Sequence, residues 1–211
     1  MASREFLKIL KNARSGDVLA QQKLGQIYML GEMGTPKNSQ NALLWLEKTV
    51  LTIGFNEEIS NFVSANLNLE TVLPQPQSLF AWKCFNHSAS TGNIDARWVI
   101  AQATVAIFTE NTPFPAFAEI TDKHGVTLGN PDKLKNQAFT YVEELADLPS
   151  FKDQSLAIKL LSKCLAEGIL GVVDISRSQK LMAHVAKQNN SVGLDSLLAL
   201  KDELGTHLLP A

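Results

Sequence analysis

Cys84 and His87 stand three residues apart in a segment of helical periodicity, which sets a thiol and an imidazole on one face of a helix. A cysteine nucleophile beside an imidazole base is the chemistry such a pair suggests. That chemistry also needs a lowered thiol pKa and an oxyanion site, and the sequence supplies no recognisable version of either. The other histidines, His124, His184 and His207, are scattered over different segments. Cys164 lies far from Cys84 with no C-x-x-C spacing, so neither a disulfide framework nor a zinc site can be read. Both cysteines read as small buried hydrophobes. Glu57 with Glu58, and Glu143 with Glu144, are adjacent in sequence and point to different sides of a helix, as solvated faces do. No P-loop, Gly-x-Gly-x-x-Gly or His-Glu-x-x-His is present. The expectation is a chain with no catalytic residues, no metal and no cofactor.

The elements that must position these side chains are helices. Apolar residues recur at offsets of three, four, seven and eight, as in Ala42, Trp45, Leu46, Thr49 and Val50, or Ala157, Leu160, Leu161, Cys164 and Leu165. No alternating β-branched segment competes with that pattern. Glycine, proline and asparagine between the stripes, with Ser, Asp or Asn as caps, predict helices over 3–13, 18–30, 38–52, 56–69, 77–91, 94–109, 131–147, 152–167, 175–188 and 191–204. Pro36, the prolines of 74–77, Pro131 and Pro149 are expected between helices. Connections are short, which implies antiparallel neighbours. The exception is 110–130, a long stretch with prolines and glycines that reads as a functional loop or a partly ordered insertion.

With 211 residues, 45% of them hydrophobic, and a formal net charge of −2, the chain can bury a sizeable core but has no electrostatic footprint for a nucleic acid or an anionic membrane. The amino terminus carries Arg4, Lys8 and Lys11 within an amphipathic stripe, which leaves no apolar stretch for a secretory signal. No window approaches the ~20 apolar residues of a membrane span. The expectation is a cytoplasmic protein with no nucleic-acid, membrane or metal partner.

Glycines at 16, 54, 92, 129 and 168 recur at intervals of 37 to 39 residues. A more direct match aligns 20–35 with 157–172: Ala20 with Ala157, Leu24 with Leu161, Tyr28 with Leu165, Gly31 with Gly168 and Gly34 with Gly171. Small residues let a neighbouring helix approach, and the two glycines let the chain reverse in positive φ. The match makes 152–167 the first helix of a hairpin, whereas the glycine spacing alone would make it a second one. We prefer the match, because an insertion at 110–130 shifts a simple count.

Ala20, Leu24, Gly25, Tyr28, Gly31, Gly34, Ala42, Trp45 and Lys48, in the stretch "GDVLAQQKLGQIYMLGEMGTPKNSQNALLWLEKTV", resemble a Sel-one-like repeat, a relative of the tetratricopeptide repeat. The stretch departs from that pattern by one inserted loop residue, by Thr35 in place of valine and by Asn38 in place of aspartate. Ala81 to Ala96 resembles the end of one repeat running into the next, with Cys84 at the tryptophan position and His87 in the place of a surface lysine. The unit 152–188 is a further match. The disulfide-stapled secreted branch of the family is not matched by two cysteines. The resemblance implies one all-α domain over 1–211, an α/α superhelix (solenoid) of about four to five antiparallel hairpins with an irregular central loop. Its repeats would be 16–53, 54–91, 92–147 and 152–188, followed by a terminal helix at 191–204.

In such an array the first helices line up as a face open to a partner. Aligning Ala20 with Ala96 makes Gln22 equivalent to Trp98 and Gln26 to Gln102, with Arg97 beside them. These five residues are candidate contacts to a partner protein, against the plainer reading that they are solvated or packed on the next helix. Phe114 and Phe117, flanked by Pro113 and Pro115, are a candidate anchor whose plainer reading is a hydrophobic plug. Trp45 and Tyr28 read as core, and Trp82 lies off the main stripe. The resemblance implies an adaptor or scaffold. Two alternatives stand beside it: a small all-α enzyme or ligand-binding subunit with a pocket under 110–130, and a structural part of a homo-oligomer.

Overall fold

A computed structural model describes residues 3–109, 114–120 and 128–187, and all regular structure in them is helical. In chain order these are α1 (Arg4–Arg14), α2 (Val18–Leu30), α3 (Ser39–Ile53), α4 (Glu57–Asn66), α5 (Gln75–Ser90), α6 (Ile94–Phe108), a 3-10 turn (Pro115–Ile120), α7 (Pro131–Ala146), α8 (Gln154–Glu167) and α9 (175–187). The expected helix at 191–204, the residues 110–113 and 121–127, and His124 and His207 lie outside the described residues.

Local chemistry starts and stops these helices. Asp17, Asn38, Asn56 and Asn93 each use a side-chain oxygen to accept from the amide three residues on, at 2.9 Å in every case. Those amides would otherwise have no partner in the first turn. Three boundaries differ from the sequence reading by two residues or more, among them α8, which begins at Gln154 instead of 152. α4 ends at Asn66 instead of 69, because Leu67 turns to extended backbone and the Asn68 side chain accepts from Glu70 N at 3.0 Å. The apolar stripe runs past this break because Leu67 remains buried outside the helix. α5 begins at Gln75 and takes Pro76 into its first turn, and Pro131 opens α7. These two prolines are therefore inside helices, at positions where a missing amide hydrogen breaks no bond.

Packing divides the chain into two compact units, Met1–Tyr141 and Val142–Ala211. In the first, α1 packs on α2, α2 on α3, α4 on α5, α5 on α6 and α3 on α5. Short connections make successive neighbours antiparallel, the arrangement of a helical-repeat solenoid. Gly25 is what lets α2 and α3 meet, since a Cβ there would lie 2.6 Å from Leu46 Cγ and 3.2 Å from the Ala42 carbonyl oxygen. Phe6 of α1 closes one end of this core, with its ring edge-on to Tyr28 at 5.9 Å. Trp45 packs against the same core while the Lys48 ammonium sits 4.4 Å from the centre of its ring. In the second unit α8 and α9 are joined by a buried serine pair, Ser162 Oγ to Ser178 Oγ at 2.8 Å.

The hairpin α2–α3 of the first unit and the hairpin α8–α9 of the second turn in the same way. Gly31 and Gly168 end their first helices in the left-handed region, with φ 75° and 67°. A Cβ on Gly31 would meet Lys37 Cγ, and one on Gly168 would meet Val173 Cγ2, each at 2.8 Å. Asn38 N donates to the Tyr28 carbonyl at 2.8 Å, and Asp174 N to the Leu165 carbonyl at 2.9 Å. Asn38 and Asp174 then cap the returning helices, accepting from Asn41 N and Arg177 N. One inserted residue in the first loop is absorbed without moving any of these contacts.

A second correspondence lies within the first unit. Gln21 Nε2 donates to the Ala13 carbonyl at 3.2 Å and Arg97 Nε to the Ala89 carbonyl at 3.0 Å, each reaching back to the end of the preceding helix. Gly16, Gly54 and Gly92 follow α1, α3 and α5, all second helices in this register, while Gly129 precedes a second helix and Gly168 follows a first one. The glycine spacing therefore loses its structural meaning after position 92.

Candidate functional site

The residues that suggested covalent chemistry are not assembled for it. The Cys84 thiol is fully buried on α5. Burial, and then the nearby Glu47 carboxylate, push its pKa far above the ordinary thiol range, so it stays protonated. His87 is half-buried, with its ring stacked 6.0 Å from that of Phe55 and its Nδ1 buried without a hydrogen-bond partner. His184 belongs to α9 in the other unit. Among the described residues no group of three histidine, cysteine or carboxylate side chains could hold a metal ion.

The residues proposed as partner contacts have several different fates. Gln22 Nε2 donates to Glu58 Oε1 at 2.7 Å, which ties α2 to α4. Arg97, besides its bond to Ala89, lies 5.3 Å from the centre of the Tyr141 ring. Trp98 is only 9% exposed, because its turn of α6 faces the core instead of solvent. Gln26 and Gln102 are half-buried. Phe117 is 1% exposed and stands edge-on to Trp82 at 5.3 Å and to Phe85 at 5.7 Å, with half-buried Phe114 against it at 6.2 Å. Trp98 and Phe117 are thus core residues. Trp82 is the floor on which the 3-10 turn rests.

A concave feature of the first unit lies elsewhere, in a cavity of about 750 Å³ between α5 and the start of α7. On α5 its lining is Leu79, Trp82, Lys83, Asn86 and His87, one stripe at helical spacing. On the other side stand Asn130, Lys133, Leu134 and Gln137, with Leu128 and Gly129 before them and Phe55 at the edge. Trp82 and Leu134 are buried and form the floor, while Lys83 and Lys133 are exposed at the rim. Asn130 is fixed as the cap of α7, its side-chain oxygen accepting from Asp132 N at 2.9 Å and Lys133 N at 3.2 Å. Asn86 is held by donating Nδ2 to the Trp82 carbonyl at 3.1 Å, and Gln137 by donating Nε2 to the Tyr141 hydroxyl at 3.0 Å. Among the described lining residues there is no carboxylate.

Comparison of the sequence with protein-family models and with curated proteins returns no match. The site must therefore be read from its own chemistry. An apolar floor, amides held in place at the wall and two lysines at the rim line this concave space. The sequence reading missed Lys83, Asn86 and Lys133. The signal for Lys83 and Asn86 was a polar stripe on α5, and Lys133 had none beyond its place in the first turn of α7; neither points to a cavity until the two helices are known to stand side by side. Among the described residues no helix is long and apolar enough to cross a membrane.

Proposed function

We propose that this protein is a binding module, an adaptor or scaffold of the Sel-one-like kind working in the cytoplasm, which acts by recognition alone and seats part of another protein in the cavity between α5 and α7. The observation that carries this reading is the cavity itself, where fixed amides and aromatic side chains stand on rigid helices while the thiol is sealed away in the core. A preorganised surface of this type binds with little ordering cost. The face of the first helices contributes less, since Gln22 and Arg97 are already engaged within the fold and Trp98 is buried.

The test is affinity capture from native lysate with the full chain, with an Asn86→Trp variant that fills the cavity, and with a Gln26→Ala/Gln102→Ala variant of the α2 and α6 face. A protein retained by the wild type and by the glutamine variant but lost with Asn86→Trp, at unchanged melting temperature, is the expected outcome. Retention by all three would sink the cavity as the seat. Loss with the glutamine variant alone would move the seat to the first helices.

A second reading rests on size, because about 750 Å³ also falls in the range of small-molecule pockets. On that reading the protein is a ligand-binding subunit, and a small carboxylate ligand raises the melting temperature of the wild type but not of Asn86→Trp.

A further inference from the structure

We infer that the cavity between α5 and α7 selects an acidic peptide segment carrying a large apolar residue, an inference that rests on the protein-binding reading above. Charge is the first reason. Lys83 enters from α5 and Lys133 from α7, no carboxylate lies among the described lining residues, and neither lysine makes an ion pair among the described residues. Two exposed lysines at the rim of one space disfavour a cationic occupant and attract carboxylates, an attraction that salt screens.

The floor supplies the second reason. Half-buried Leu79 and the exposed Phe55 offer apolar surface to one large side chain, with the buried Trp82 and Leu134 beneath them as support. Apolar exposure reaches the cavity's edge, where Phe55 is 40% exposed. A chain segment passing over the rim would cover that ring as well as the cavity.

The amides supply the third. Asn86 spends Nδ2 on the Trp82 carbonyl, which leaves its side-chain oxygen as an acceptor. Asn130 spends its side-chain oxygen on capping α7, which leaves Nδ2 as a donor. An acceptor on one wall and a donor on the other match the N–H and C=O of a peptide backbone, and Lys83 and Lys133 meet Asp or Glu on either side of the anchored residue.

Panning a library of short random peptides against the full chain tests this, followed by fluorescence anisotropy of an enriched peptide on the wild type, on Lys83→Glu/Lys133→Glu and on Asn86→Trp. Both lysines are exposed, so reversing them disturbs no core contact, and circular dichroism checks the fold. The expected result is enrichment of Asp or Glu beside Trp, Phe or Leu, with binding weakened about tenfold or more by the charge reversal and by added salt. Enrichment of neutral or basic peptides that Asn86→Trp still excludes would overturn the acidic selection while leaving the cavity as a binding seat. No enrichment, or equal binding to all three proteins, would overturn both. Self-association of the wild type that either variant abolishes would make the occupant a second copy of this chain and overturn the inference.

Discussion

At the scale of single residues, two positions carry consequences opposite to what composition suggests. Alanine is favoured over glycine inside a helix by about 1 kcal/mol, yet Gly25→Ala would force a methyl to within 2.6 Å of Leu46 Cγ and 3.2 Å of a backbone oxygen. Overpacking of this kind costs about 1–3 kcal/mol and exceeds the propensity gain, so urea unfolding should show net destabilisation. Gly54→Ala is the control: its φ of 84° strains a side chain, but the added methyl meets nothing within 4 Å. With ψ at 166° it lies in a region that is essentially glycine-only, so its cost of about 1–3 kcal/mol should come from backbone strain without a clash. A stabilised Gly25→Ala would refute the close approach of α2 and α3. The thiols are the second case. Burial pushes Cys164 up to about 11 and Cys84 higher still, against an ordinary 9.0. Thiols that ionise later in the folded state than in the unfolded one leave stability unaffected below pH 9.0 and lower it as pH rises above that value. Folded protein should therefore react with a thiol reagent far more slowly than urea-unfolded protein, and denaturant midpoints should fall above pH 9.0.

At the scale of elements, the 3-10 turn Pro115–Ile120 is held as if it were part of α5. Ala116 N donates to the Leu69 carbonyl at 2.9 Å, and Ser78 Oγ donates to the Ala116 carbonyl at 2.6 Å, both around the buried Phe117 ring. Phe117→Ala should lower stability by about 3–5 kcal/mol, the cost of emptying an aromatic site in a core. Hydrogen exchange should then rise first in 114–120; a loss below about 1 kcal/mol would mean that the ring is not the plug described here. Helix starts give a milder and more uniform signal. Asn38→Ala and Asp174→Ala each remove an equivalent cap, and each should cost about 1 kcal/mol. Clearly unequal costs would break the correspondence between the two hairpins. These starts were legible in the sequence because a cap acts on an amide only three residues away. The end of α4 was not, since Leu67 keeps the apolar spacing of a helix while leaving it.

At the scale of the whole molecule, each compact unit has its own buried residues, so a defect in one should stay local. Gly25→Ala should speed hydrogen exchange across 18–66 and leave α8, at 154–167, at wild-type protection; uniform loss would show a single cooperative fold. The all-helical class and the hairpin loops could be read from residues alone, because periodicity, caps and the positive-φ glycines Gly31, Gly34, Gly168 and Gly171 act within one or two turns of chain. Exposure could not be read that way. Trp98 is a candidate contact in the sequence and core in the fold, and of the two readings of Phe117 the buried plug is the one observed, whereas Lys83 and Lys133, about fifty residues apart, become the two rims of one cavity. Whether a side chain is open or covered depends on which distant helix packs beside it, and that is decided only when α5 and the start of α7 are brought together.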